Sequence, residues 1–126
     1  MELERKVVSR IMLTLLLTSM LTLAFNIQSV KASGTIYIRA DGSVEPPTAP
    51  IHRDGDYYTL TGNITTDVDG VVIQRDNIVF DGAGYTIQGT GTLNSMGISA
   101  PERLARANVT IKNVRIESFY CGVYLD

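Results

Sequence analysis

The sequence predicts an all-β fold whose short strands wind as a parallel β-helix, a solenoid of about three coils, and three observations predict it. Apolar residues come in alternating pairs, the signature of short half-buried strands. Gly, Asn and Asp stand between the pairs, and these residues tolerate the positive φ of a sharp corner. The pattern then recurs with a fixed period, which a solenoid requires and a β-sandwich has no reason to show.

The chain opens with an export signal. Arg5, Lys6 and Arg10 precede an uncharged apolar run from Ile11 to Phe25, and Val30-Lys31-Ala32 places small or apolar side chains at the positions a signal peptidase reads. The run is shorter than the roughly 20 residues needed to cross a bilayer as a helix. Residues 1–32 are therefore read as a signal peptide cleaved after Ala32, and the protein as secreted or held at the cell surface. The competing reading is an uncleaved signal anchor, the single route by which this chain would meet a membrane. Residues 33–49 form an N-terminal strand and a proline-rich lead-in or cap, and residues 50–126 the β-helix coils.

Without residues 1–32 the chain carries seven Lys/Arg against eleven Asp/Glu, a net charge of −4. Such a surface, with no basic cluster, offers no footprint for nucleic acid. Cys121 is the single cysteine, so no intramolecular disulfide staples the fold, and burial and repetition must hold it.

Residues 50–73 and 77–100 share eight identities over 24 positions at an offset of 27, against about two by chance at ordinary residue usage. Ile51-His52-Arg53-Asp54-Gly55 falls on Ile78-Val79-Phe80-Asp81-Gly82, Tyr58 on Tyr85, Leu60 on Ile87, and Gly70 on Gly97. A third copy follows with altered spacing. Asn108-Val109-Thr110-Ile111-Lys112-Asn113 follows Asn77-Ile78-Val79-Phe80-Asp81-Gly82 at an offset of 31, and Gly122-Val123 follows Gly97-Ile98 at an offset of 25. Three residues separate Ile73 from Asn77, whereas nine separate Ile98 from Asn108. Within that insertion Pro101 to Ala107 reads as a short helical excursion, with proline and an acid in its first turn.

Alternation predicts Val109, Ile111, Val114, Ile116, Val123 and Leu125 facing inward, with Thr110, Lys112, Arg115 and Glu117 facing out. Cys121 shares the parity of Val123 and Leu125 and is expected to be a buried, unreactive thiol. Tyr58 and Tyr85 are expected in the core, and Tyr37, Tyr57, Tyr120 and Tyr124 at outward or terminal positions where a ring can stack on a sugar.

Asn77-Ile78-Val79-Phe80-Asp81-Gly82-Ala83-Gly84-Tyr85-Thr86-Ile87 resembles the DGxGxTI coil opening of right-handed parallel β-helix proteins, and Asn108 to Ile116 resembles the next coil. The resemblance covers about residues 50 to 126. It is to the domain shared by carbohydrate-active β-helix proteins and NosD-like periplasmic proteins, a family of pectate lyases, polygalacturonases, epimerases and many noncatalytic surface proteins. It implies export and contact with polysaccharide or cell-surface glycan without implying turnover. The family's hydrolases carry paired aspartates, a Gly-His-Gly turn and an Arg-x-Lys strand. Here His52 lies outside any such turn and Arg115-Ile116-Glu117 stands instead. Asp126 falls in a strand-like run with no capping segment after it, so further coils are expected beyond this stretch.

Asp54 with Asp56, and Asp67 with Asp69, are candidate calcium ligands beside turn glycines, although calcium needs six to eight oxygens and turn capping accounts for aspartates in such places. No other cofactor is expected. Asp67 with Asp69, or Asp54 with Asp81, are the pairs able to flank a glycosidic bond, but many acids in any fold meet that spacing. His52 reads as a surface residue rather than a base. Asn63-Ile64-Thr65 and Asn108-Val109-Thr110 are glycosylation sequons, Asn108 also suiting a positive-φ corner. The sequence thus points to an exported structural or adhesive module that contacts polysaccharide and performs no catalysis, the alternative being the N-terminal part of a polysaccharide lyase or hydrolase.

Overall fold

A computed structural model describes residues 34–101 and 107–125. The signal segment with its cleavage point and the helical excursion at Pro101 to Ala107 fall outside, or largely outside, those residues. Among the described residues the chain is all-β, with twelve strands: β1 Ile36–Ile38, β2 Val44–Glu45, β3 Ile51–Asp54, β4 Tyr57–Leu60, β5 Ile64–Thr65, β6 Val71–Ile73, β7 Ile78–Asp81, β8 Thr86–Gln88, β9 Met96–Ala100, β10 Val109–Lys112, β11 Arg115–Glu117 and β12 Cys121–Leu125.

From β4 onward every third strand returns to the same sheet. Sheet A runs β12-β9-β6-β1-β2, sheet B β10-β7-β4-β3, and sheet C β11-β8-β5. The pairings among β4 to β12 are all parallel, and antiparallel neighbours occur only where β2 joins β1 and β3 joins β4. Parallel pairing stacks like on like. Ile64, Ile87 and Ile116 form one column of sheet C, while Tyr58, Phe80 and Ile111 form one of sheet B. Ile36, Val71, Ile98 and Val123 form a third in sheet A. The inward members meet in one core in which Tyr58, Phe80, Ile87 and Ile98 are wholly buried, each such side chain contributing about 1.5–3 kcal/mol of transfer free energy. Tyr58 brings a hydroxyl into this core and satisfies it by donating to the Gly42 carbonyl at 2.7 Å.

Strands of two to five residues need frequent corners, and residues that tolerate a left-handed backbone supply several of them. Asn77 and Asn108 occupy equivalent corners at φ 54° and 58°, and Asn113 and Ser118 mark two more. Stacked corners also approach closely. A Cβ on Gly82 would lie 2.5 Å from the Asn113 carbonyl oxygen, which explains glycine there without any appeal to positive φ.

The offset of 27 holds on sheet A, where Val71 pairs with Ile98, and the offsets of 31 and 25 hold where Ile78 pairs with Val109 and Ile98 with Val123. Elsewhere the register differs. Tyr58 pairs with Phe80, not Tyr85, and Ile87 pairs with Ile64, not Leu60. The connection from β8 to β9 is longer than that from β5 to β6, so the strands β4 to β6 and β7 to β9 pair at a shorter offset on sheets B and C than on sheet A. Ile51–Asp54 does not stack on Ile78–Asp81 at all. Gly55, at φ 60°, starts a two-residue turn that folds β3 back against β4, pairing Asp54 with Tyr57.

Two assignments need correction, the burial of Tyr85 and that of Cys121. Tyr85 is 37% exposed, because it sits in the turn before β8 rather than in a core column. Val123 and Leu125 face inward as expected, at the same positions as buried Ile98 and Ala100, but are 42% and 57% exposed, because β12 is the outer strand of sheet A. Cys121 is half-buried for the same reason, its thiol donating to the Val123 carbonyl at 3.4 Å. Val109, Ile111, Val114 and Ile116 pack against the core as expected, and Thr110, Lys112, Arg115 and Glu117 face outward.

Candidate functional site

Because side chains alternate across a strand, the residues between the core positions of sheet B form its outer face. Two columns result. His52, Thr59, Asp81 and Lys112 lie across the sheet in one, and Asp54, Tyr57, Val79 and Thr110 in the other. The columns are tied together at Tyr57, whose hydroxyl donates to Asp81 Oδ2 at 2.7 Å. Lys112 places its ammonium 3.9 Å from the same oxygen and 5.1 Å from the centroid of the Tyr57 ring.

Asp81 Oδ1 accepts from the Ala83 amide at 2.9 Å and from Asn113 Nδ2 at 3.1 Å. The Ala83 amide, then Tyr57 and Asn113, hold this carboxyl below the usual aspartate value, while Tyr57, with a smaller contribution from Asp81, holds Lys112 above the usual lysine value. An ionised carboxylate with both oxygens occupied lacks what a general acid needs, which is a raised pKa and a proton to give. Asp81 instead fixes the tyrosine ring and the turn at Ala83.

Beside this cluster lies a groove of about 250 Å³. Tyr57, Val79 and Thr110 form its sheet side, the Asn77 and Asn108 corners close one end, and Asp54 and Asp56 stand at the β3–β4 turn. The two asparagines form a ladder, with Asn108 Nδ2 donating to Asn77 Oδ1 at 3.3 Å. The groove therefore offers amides, a hydroxyl, carboxylates and one immobilised aromatic ring, a set that suits a polyhydroxylated ligand.

The four calcium candidates are not brought together. Asp54 and Asp56 belong to the β3–β4 turn beside sheet B, and Asp56 accepts from Arg75 Nη2 at 2.7 Å. Asp67 and Asp69 lie in the connection from β5 to β6, where Asp69 Oδ1 caps the Met96 amide at 2.8 Å. Among the described residues no three His, Cys, Asp or Glu side chains converge as a metal site. Of the sequon asparagines, Asn63 is exposed and uses its oxygen to accept from the Thr86 amide at 2.9 Å, whereas Asn108 commits its amide nitrogen, the atom a glycan would occupy, to Asn77. His52 is exposed on the outer column of sheet B, across from Thr59.

Tyr57 and Lys112 were both legible as outward residues, but their meeting at Asp81 was not. It depends on the register between β4 and β7, in which Tyr57 pairs with Val79, and the stronger identity at an offset of 27 hides that register. Comparison with family models, with curated proteins and with solved structures returned no match.

Proposed function

We propose that this chain is an exported right-handed parallel β-helix module that contacts polysaccharide through the outer face of sheet B, without turning it over. The winding is supported by the return of every third strand to the same sheet, in parallel, across β4 to β12. Right-handedness is favoured because nearly all crossovers between parallel strands of a sheet take that hand. Export rests on the basic-then-apolar opening of the sequence.

One observation carries the binding reading: Tyr57 is an exposed ring held in place by Asp81 and flanked by a groove lined by two asparagine amides, the Thr110 hydroxyl and two carboxylates. A pre-fixed aromatic loses little freedom when a sugar stacks on it. Asp54 on the groove, with the acidic net charge, favours neutral glycans over polyuronates, whose carboxylates it would repel. Asp81, ionised and with both oxygens taken by hydrogen bonds, does not supply the proton that a hydrolase's general acid gives.

Affinity electrophoresis through gels containing either a neutral polysaccharide or polygalacturonate tests the reading. Retardation of the wild-type chain by a neutral glycan, lost in Tyr57→Ala, is the expected result. Equal mobility of the two proteins in every gel refutes it.

A further inference from the structure

Gly70, Gly97 and Gly122 each stand one residue before a member of the stacked column Val71, Ile98 and Val123. The first two are glycine for a visible reason. A Cβ on Gly70 would collide with the Gly97 carbonyl oxygen, and one on Gly97 would lie 2.5 Å from the Gly122 carbonyl oxygen, so each layer seats its backbone against the next. None of the three has a positive φ. Gly122 continues the column, yet a Cβ there would meet nothing closer than Ile116 Cγ2 at 3.9 Å. Glycine inside a strand weakens it by roughly 0.5–1 kcal/mol relative to alanine. Among the described residues no close approach offsets that cost at Gly122.

Exposure points the same way. Ile98 and Ala100 are at most 1% exposed, whereas their partners Val123 and Leu125 are 42% and 57% exposed. Phe80 and Ile87 are wholly buried, while Ile111 and Ile116 above them are only half-buried. At the opposite end β2 and β3, paired antiparallel to β1 and β4, close sheets A and B. Among the described residues the apolar cross-section is thus uncovered on one side, along β10, β11 and β12.

We infer that this edge is a docking surface for a further polypeptide turn of the same kind. The occupant supplies three short strands parallel to β10, β11 and β12, with apolar side chains at alternate positions and a peptide carbonyl seated on Gly122. A parallel occupant is chosen over a second copy meeting this edge head-on, because the carbonyl contacts at Gly70 and Gly97 are made by parallel pairs in this same sheet. The inference does not depend on the polysaccharide reading.

The experiment joins a second copy of residues 101–126 after Asp126, with a scrambled extension as control, and follows hydrogen exchange of the β12 amides. The length of that segment falls between the two offsets seen on sheet A, from Val71 to Ile98 and from Ile98 to Val123. The repeated extension should slow exchange of the β12 amides that face away from β9 by about tenfold or more, and the scrambled one should not. Gly122→Ala should leave the stability of the unextended chain unchanged or slightly raised, yet abolish the added protection in the extended chain. Equal exchange with both extensions, or full protection in extended Gly122→Ala, overturns the inference. So does an unextended chain that dimerises through this edge and becomes monomeric on Gly122→Ala, since the occupant is then a second copy.

Discussion

Gly97 lies directly under the carbonyl of Gly122, so closely that a Cβ at Gly97 would stand 2.5 Å from that oxygen and closer still to Ile116 Cγ2. Neither neighbour can move freely, one being backbone and the other the branch methyl of a half-buried isoleucine packed against the core. Gly97→Ala should therefore destabilise the chain by about 1–3 kcal/mol, the usual cost of overpacking. Urea denaturation checks this; a midpoint equal to wild type would mean that β9 and β12 are not stacked in this register.

Ile87 sits at the centre of the Ile64, Ile87, Ile116 column and is wholly buried. Truncating it opens a cavity under both neighbours. Ile87→Ala should cost about 2–5 kcal/mol, while Tyr85→Ala, two residues away but 37% exposed, should cost far less. The alignment at an offset of 27 places Tyr85 in the core and would give comparable losses, so the pair discriminates between the two registers.

Asp81 gives stability a pH signature. Its pKa is depressed in the folded chain, so its contribution is present above the ordinary aspartate value of 3.8 and is lost as pH falls through the lower folded value. Asp81→Asn should melt below wild type near neutral pH, and the gap should close below pH 3.8 as the wild type loses its ionised carboxylate. Asp41, likewise depressed by its hydrogen bonds with Ser43, is present in both proteins and cancels in the comparison. A gap independent of pH would contradict the charged, hydrogen-bonded state of Asp81.

Cys121 is half-buried rather than enclosed, and its neighbours Val123 and Leu125 are exposed. It should react with a thiol reagent in the native chain without denaturant, faster than a cysteine introduced at Ile98, in the same sheet one strand inward. No native labelling within the time needed for Ile98→Cys would place β12 under cover.

Much of this fold was legible in advance, for reasons visible in single residues. Asn77 and Asn108 announced a corner because few other residues accept such a positive φ comfortably, and the two corners stack as read. Alternation gave the facing of Val109 through Glu117. The register between β4 and β7 was obscured because Ile51-x-x-Asp-Gly imitates Ile78-x-x-Asp-Gly, although Gly55 uses its freedom to reverse the chain and Gly82 needs its missing Cβ for the approach of Asn113. Identical letters served different physics. The candidate site inherits that difficulty, since Tyr57, Asp81 and Lys112 converge only once β4, β7 and β10 are correctly aligned.

The central claim, that the outer face of sheet B holds a neutral glycan, is tested most directly by titrating an isotope-labelled chain with a neutral oligosaccharide and mapping amide shift changes. The changes should concentrate at Tyr57, Val79 and Thr110 and at the Asn77 and Asn108 corners, all on the groove. Changes confined to Tyr37 and Tyr124 on the outer column of sheet A, or none at millimolar sugar, would contradict it.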